Sequence, residues 1–98
     1  MKVRIGVNKY KGPYEEMMEA VRKDAPMFNE MALEWKIWLV NKEENLLAGV
    51  YLCKDEEALE KSLQERKSES QIVPLIQKIS SHVFEIIEDV SKLNKAPL

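Results

Sequence analysis

The chain is poor in the residues that most often announce a mechanism. It has one cysteine and one histidine. Cys53 therefore has no partner for an intrachain disulfide, and no cysteine cluster exists to bind a metal. No haem-attachment motif, metal-ligand cluster or dinucleotide fingerprint can be found, and Gly6 and Gly12 do not make a phosphate loop. Basic residues are not in excess: fifteen Lys and Arg stand against seventeen Asp and Glu, for a net charge of −2. That balance argues against general nucleic-acid binding, which needs a basic field to displace counterions. No apolar stretch reaches the roughly 18 residues that a membrane helix needs. The opening MKVRIGVNKYKG lacks the apolar run of a signal peptide. The expectation is a soluble, cytoplasmic protein with no membrane and no nucleic-acid partner.

What remains is a globular composition, 45% apolar and 33% charged over 98 residues. That is one domain, residues 1–98, small enough that dimerisation would help to bury apolar surface.

Hydrophobic periodicity divides the chain. Val3, Ile5 and Val7 alternate with polar residues, predicting a strand at 2–8. Lys11-Gly12-Pro13 breaks it. Tyr14, Met17, Met18, Val21 and Ala25 are helically spaced, with Pro13 suited to the first position and Glu15 and Glu16 to the positive end of the helix dipole. Pro26 should end or kink this helix by disfavouring helical geometry at Ala25, and 27–31 adds a turn. Strands follow at 33–41 and 46–53, joined by the polar turn KEEN into a hairpin. Asp55 is placed to cap a second helix running to about residue 67. Ile72, Leu75, Ile76 and Ile79 suggest a short helix around Pro74, and HVFEIIEDV, 82–90, a fourth strand. The order β-α-β-β-α-β is that of the ferredoxin-like α+β fold, an antiparallel sheet with both helices on one face.

The hairpin carries the chemistry. Pairing Asn41 with Leu46 sets Ile37 against Val50, Lys36 against Tyr51 and Trp38 against Gly49. Trp35, Ile37 and Leu39 then join Ala48, Val50 and Leu52 in one apolar face, expected beneath the helices with Val3, Ile5 and Val7. Lys36, Trp38, Gly49 and Tyr51 gather on the other face, expected to be open, with Arg4, Gly6 and Asn8. Aromatic, cationic and amide groups together suit a flat, electron-rich or anionic molecule. An ordinary solvated face is the competing reading: Lys36 would pair with Glu34 or Glu85, Trp38 would be dimer-interface core, and Tyr51 would be packing. The fourth strand is apolar on both sides, as a strand at a dimer seam would be. His82 is expected at the surface, and Cys53 as a small buried hydrophobe.

WKIWLVNKEENLLAGVYL, residues 35–52, resembles the central signature of the YdhR-type mono-oxygenase family, in which a Trp-Lys-x-Trp strand leads through a polar turn into a glycine-rich strand ending in Tyr-Leu. Gly12-Pro13-Tyr14 resembles its first-helix start. Val83-Phe84-Glu85-Ile86, with Glu88, Ser91, Asn94 and Ala96, resembles its last strand and tail. The chain departs at Met31-Ala32, where the family commonly has Pro-Gly, and at Ala48-Gly49, where it usually has two glycines. The resemblance implies the ferredoxin-like fold, a homodimer whose sheets form an α/β barrel, and an oxygenase role inferred from cofactor-independent quinone-forming relatives. With no cofactor motif in the chain, the expected reaction is oxidation of a small aromatic or quinol-type molecule without metal or flavin.

In such a reaction the substrate would be its own electron donor. Trp38 would stack on the ring, Lys36 would stabilise its anion or accept its proton, and Tyr51 would donate to a substrate oxygen. Asn8 and Arg4 would orient oxygens, and Gly49 would leave room for the ligand. A non-catalytic binding or stress-response module for an aromatic or haem-like ligand is the alternative. A structural dimer with a filled barrel is the third.

Overall fold

The computed structural model describes residues 1–98. Four strands, β1 (Lys2–Tyr10), β2 (Trp35–Asn41), β3 (Leu46–Cys53) and β4 (Ile76–Glu85), form one antiparallel sheet in the order β2-β3-β1-β4. Helix α1 (Tyr14–Asp24) links β1 to β2, and α2 (Glu56–Arg66) links β3 to β4. This is the expected ferredoxin-like α+β arrangement. A short α3 (Glu88–Leu93) follows the sheet.

Local chemistry sets the boundaries. Helix α1 starts after Pro13, with Glu15 and Glu16 in its first turn and Arg22 and Lys23 in its last, as the helix dipole favours. Ala25 nevertheless stays helical, with φ −51° and ψ −44°. Pro26 therefore does not end the helix: it tightens it into a 3-10 segment, Ala25–Glu30. The hairpin turn is held by Asn41, whose side chain donates to Glu44 at 2.7 Å and accepts from the Glu44 backbone at 3.1 Å. Asn45 takes the left-handed conformation, φ 56°, which asparagine tolerates. The Asp55 carboxylate accepts from the backbone N–H groups of Glu57 and Ala58, at 3.0 and 3.2 Å, and so caps α2.

Three expectations need correction. Around Pro74 only a 3-10 turn forms, Val73–Leu75. The fourth strand is Ile76–Glu85 rather than 82–90. Its length is set by β1: Tyr10 pairs with Ile76 and Lys2 with Glu85, with a bulge opposite Val7 and Asn8. Sheet hydrogen bonding thus recruits polar Lys78, Ser80 and Ser81, whose side chains did not signal a strand. The apolar residues after Ile86 belong to α3 and its approach instead.

The third correction concerns the faces. The hairpin register is the expected one, with Lys36 against Tyr51, Trp38 against Gly49 and Asn41 against Leu46. The sheet is turned over relative to the helices. Leu47 and Tyr10 pack with Met17, Ala20 and Val21 of α1 and with Ile72, and Trp38 lies against that cluster. Arg4 reaches Glu60 of α2. Lys36, Trp38, Gly49, Tyr51, Arg4, Gly6 and Asn8 therefore face the helices. Trp35, Ile37 and Leu39 are exposed, Ile37 by 48%. The space between sheet and helices is only partly filled by that cluster, the rest being cavity. Only thirteen residues are buried, and much of the apolar surface of the sheet stays exposed. Ala48, opposite Leu39 and Val7, lies on the outer face, so its departure from the family pattern does not touch the helix layer.

Candidate functional site

Between sheet and helices lies a cavity of about 400 Å³, within the size range of small-molecule sites. Strand register lays out its floor in rows. One row runs Lys36, Tyr51, Arg4 across β2, β3 and β1. The next runs Trp38, Gly49, Gly6, Ser81. In the third, Leu47 and Asn8 lead to Lys78.

The two glycines of the middle row do different things. A Cβ on Gly49 would stand 3.1 Å from Cε of Lys36 and 3.1 Å from the Tyr51 ring. The bare backbone there lets both side chains fold over the strand. Above Gly6 no atom lies within 4 Å of a Cβ position, so this part of the floor is open.

Lys36 is held in an aromatic cage. Its Nζ lies 3.3 Å from the Trp38 ring centroid, 3.5 Å from that of Phe28 and 4.5 Å from that of Tyr51. Phe28 meets Trp38 edge-on, centroids 5.2 Å apart at 84°. The expectation of one ring beside the lysine and one opposite thus missed a third. Lys36 takes part in none of the ion pairs of the structure; Glu34 pairs with Lys54 instead. The ring faces favour an ammonium, and so does the charge of Asp24. Loss of water outweighs this and lowers the Lys36 pKa to about 7. Burial raises the pKa of Tyr51, with Arg4 opposing, so its hydroxyl remains a donor at neutral pH.

All six residues singled out from the sequence, Lys36, Tyr51, Trp38, Asn8, Arg4 and Gly49, line this one cavity. The Asn8 amide donates to the Leu47 carbonyl at a long 3.5 Å. Arg4 donates to Glu60, which also accepts from Gln64 at 3.1 Å. These hydrogen bonds, the Arg4 one foremost, hold the Glu60 carboxyl below its ordinary pKa. His82 stands opposite Ile5 on the outer face, away from the cavity. Cys53 is fully buried, and burial pushes its thiol up, away from nucleophilic character.

The roof was not legible. Met27, Phe28 and Met31 come from the 3-10 segment and its end, and Glu60 and Leu63 from α2. Phe28 left a faint signal as the one aromatic between the first helix and the second strand, whereas nothing marks Glu60 apart from its acidic neighbours. Asp24 was missed as well. It is buried, accepts from Ser70 Oγ at 2.6 Å and from the backbone of Gln71 and Ile72 at 2.8 and 3.0 Å, and so fixes the approach to β4.

No group of three or more His, Cys, Asp or Glu side chains is placed to hold a metal ion. No helix is long and apolar enough to cross a membrane.

Comparison with known proteins adds a family. The model described as "Putative mono-oxygenase ydhR" matches residues 5–97. None of the curated proteins matches the chain. Among solved structures, the fold is similar to that of protein YJCS, with a TM-score of 0.70 at 12% identity over 87% of this chain and 97% of that one. It is also similar to a point mutant of SnoaB, a cofactor-independent oxygenase from Streptomyces nogalater (TM-score 0.66, 13% identity, 88% of this chain and 93% of that one). MupZ from Pseudomonas fluorescens gives a TM-score of 0.61 at 15% identity over 96% of this chain and 78% of that one.

Proposed function

The chain belongs to the ydhR mono-oxygenase family, and from that premise we propose that it oxidises a small phenol- or quinol-type aromatic with O₂, using no metal or flavin. Family membership supports a general oxygenase role. The observation that carries the finer reading is the position of Lys36, an amine with no ion-pair partner among three rings in a cavity of ligand size.

The chemistry balances without an external reductant. The Lys36 amine takes the phenol proton, which raises electron density at the para carbon. O₂ bonds to that carbon, taking up its electron pair, and a proton completes a hydroperoxide. Loss of the carbon's own hydrogen as a proton, with O–O cleavage expelling hydroxide, leaves a carbonyl. A phenol and O₂ thus become a quinone and water, with one oxygen atom in each product. Trp38 and Phe28 bind the ring, and Tyr51 donates to the substrate oxygen as charge develops on it. Removal of water from the cavity favours both the neutral amine and the reactive, poorly hydrated anion.

The same reading makes the protein a homodimer whose sheets pack face to face. Trp35, Ile37, Leu39 and Phe84 are exposed on the outer face, an apolar surface of the kind that marks association.

The test is turnover of a panel of phenols and naphthols under ¹⁸O₂. One labelled oxygen in the quinone and one in water are expected. Panel members that bind and shift the melting temperature without oxygen uptake would overturn the catalytic reading in favour of a binding module.

A further inference from the structure

The chain as a whole is acidic, yet its cavity is not. Arg4, Lys36, Arg66, Lys67 and Lys78 line it, and Glu60 is the only carboxylate that does. Arg66 is already committed to Glu30 at 2.9 Å and Glu69 at 3.2 Å. Glu60 stands near two of the remaining cations. It is bonded to Arg4, and the positive charge of Lys78 also acts on it.

The two partners of this pair are differently placed. The Arg4 side chain is 17% exposed and that of Glu60 is 44% exposed. Moving Glu60 outward gives up its bond to Arg4, but the half-exposed carboxylate has solvent to move into and regains hydration there. Leaving Arg4 without an anion is costly, because a mostly buried guanidinium has no other acceptor. The site thus always needs an anion on Arg4, and the one present can be exchanged for another that arrives in the cavity. Arg4 stands two strands from Lys36, about 10 Å at ordinary strand spacing, with the open floor above Gly6 adjoining it. A ring held at the Lys36 cage would carry an acidic substituent to Arg4 across that space.

We propose that the physiological ligand is an aromatic carboxylate whose acid group binds Arg4, and that Glu60 occupies that place until the ligand arrives. The exchange conserves charge: one carboxylate replaces another on a bidentate-capable arginine, and Glu60 swings to solvent. This assignment rests on the aromatic-ligand reading above and narrows its substrate class.

Calorimetric titration with 6-hydroxy-2-naphthoate and with its neutral amide, 6-hydroxy-2-naphthamide, tests it. The wild type should bind the acid several-fold more tightly than the amide, less than the roughly tenfold of a full charge-assisted contact because the Glu60 contact is given up in exchange. Arg4→Gln should remove the preference of acid over amide. Glu60→Gln, which leaves Arg4 without its internal anion, should tighten the acid further and leave the amide unchanged. Should Arg4→Gln fail to fold, Glu60→Gln decides alone. Equal binding of acid and amide to the wild type, or weaker acid binding by Glu60→Gln, would overturn the clamp and leave the aromatic site standing. Failure of both probes to bind would overturn clamp and aromatic site together.

Discussion

Lys36 and Trp38, two residues apart on one strand, put an amine nitrogen 3.3 Å from the centroid of an indole ring. Side chains two apart share a face of a strand, and here that face looks into the cavity. Phe28 closes over the nitrogen from the 3-10 segment at 3.5 Å. The charge of Asp24 acts on the nitrogen from a distance, but no carboxylate pairs with it directly.

The consequence is a stability that depends on pH in an unusual direction. The folded pKa of Lys36, about 7, lies below the ordinary 10.5 of the unfolded chain. Between these values the unfolded state binds more protons than the folded one, so stability rises with pH. Below about 7 both states are protonated and the cost of burying the ammonium is fully present. Urea melts of wild type and Lys36→Met at pH 6.5 and 9.5 isolate this term. Lys36→Met should be favoured over wild type at pH 6.5 by roughly 2–3 kcal/mol more than at pH 9.5. Parallel pH profiles would show that the amine is not desolvated.

Gly6 offers a way to close the cavity without disturbing the cage. Its Cβ position is unobstructed, and a β-branched residue suits a strand better than glycine does. Gly6→Val should fold with equal or greater stability, by up to about 1 kcal/mol, and should weaken binding of aromatic ligands at least tenfold. Thermal melts and ligand titration check both parts. Unchanged binding would place the ligand elsewhere.

Ile37 lies at the centre of the outer face, opposite Val50, which in turn pairs with Ile5. A lysine there would be forced into an apolar interface, so Ile37→Lys should convert a dimer to a monomer in sedimentation equilibrium. A wild-type protein that sediments as a monomer would remove the face-to-face dimer from the account.

Much of this architecture was legible in the sequence. The order of elements, the Asp55 cap and the hairpin register follow from local patterns, and the register alone brought Lys36, Trp38, Gly49 and Tyr51 together. The direction in which that group faces was not legible. Patterning assumes that the more apolar side of a sheet meets its helices, and this sheet reserves its more apolar side for the outside. The start of β4 was hidden because Lys78, Ser80 and Ser81 are polar and owe their strand geometry to β1. Phe28 and Glu60 reach the site from other elements across the fold, and no spacing within the chain encodes such an approach.

The central claim is that the Lys36 amine drives the oxidation. It is tested most directly by the pH dependence of oxygen uptake, measured on the best-turned-over naphthol with wild type and Lys36→Met. The wild-type rate should rise through pH about 7, as the amine becomes neutral. The Lys36→Met rate should be about 10²–10³-fold lower, without that inflection. A Lys36→Met protein with the wild-type rate and the wild-type pH profile would contradict it.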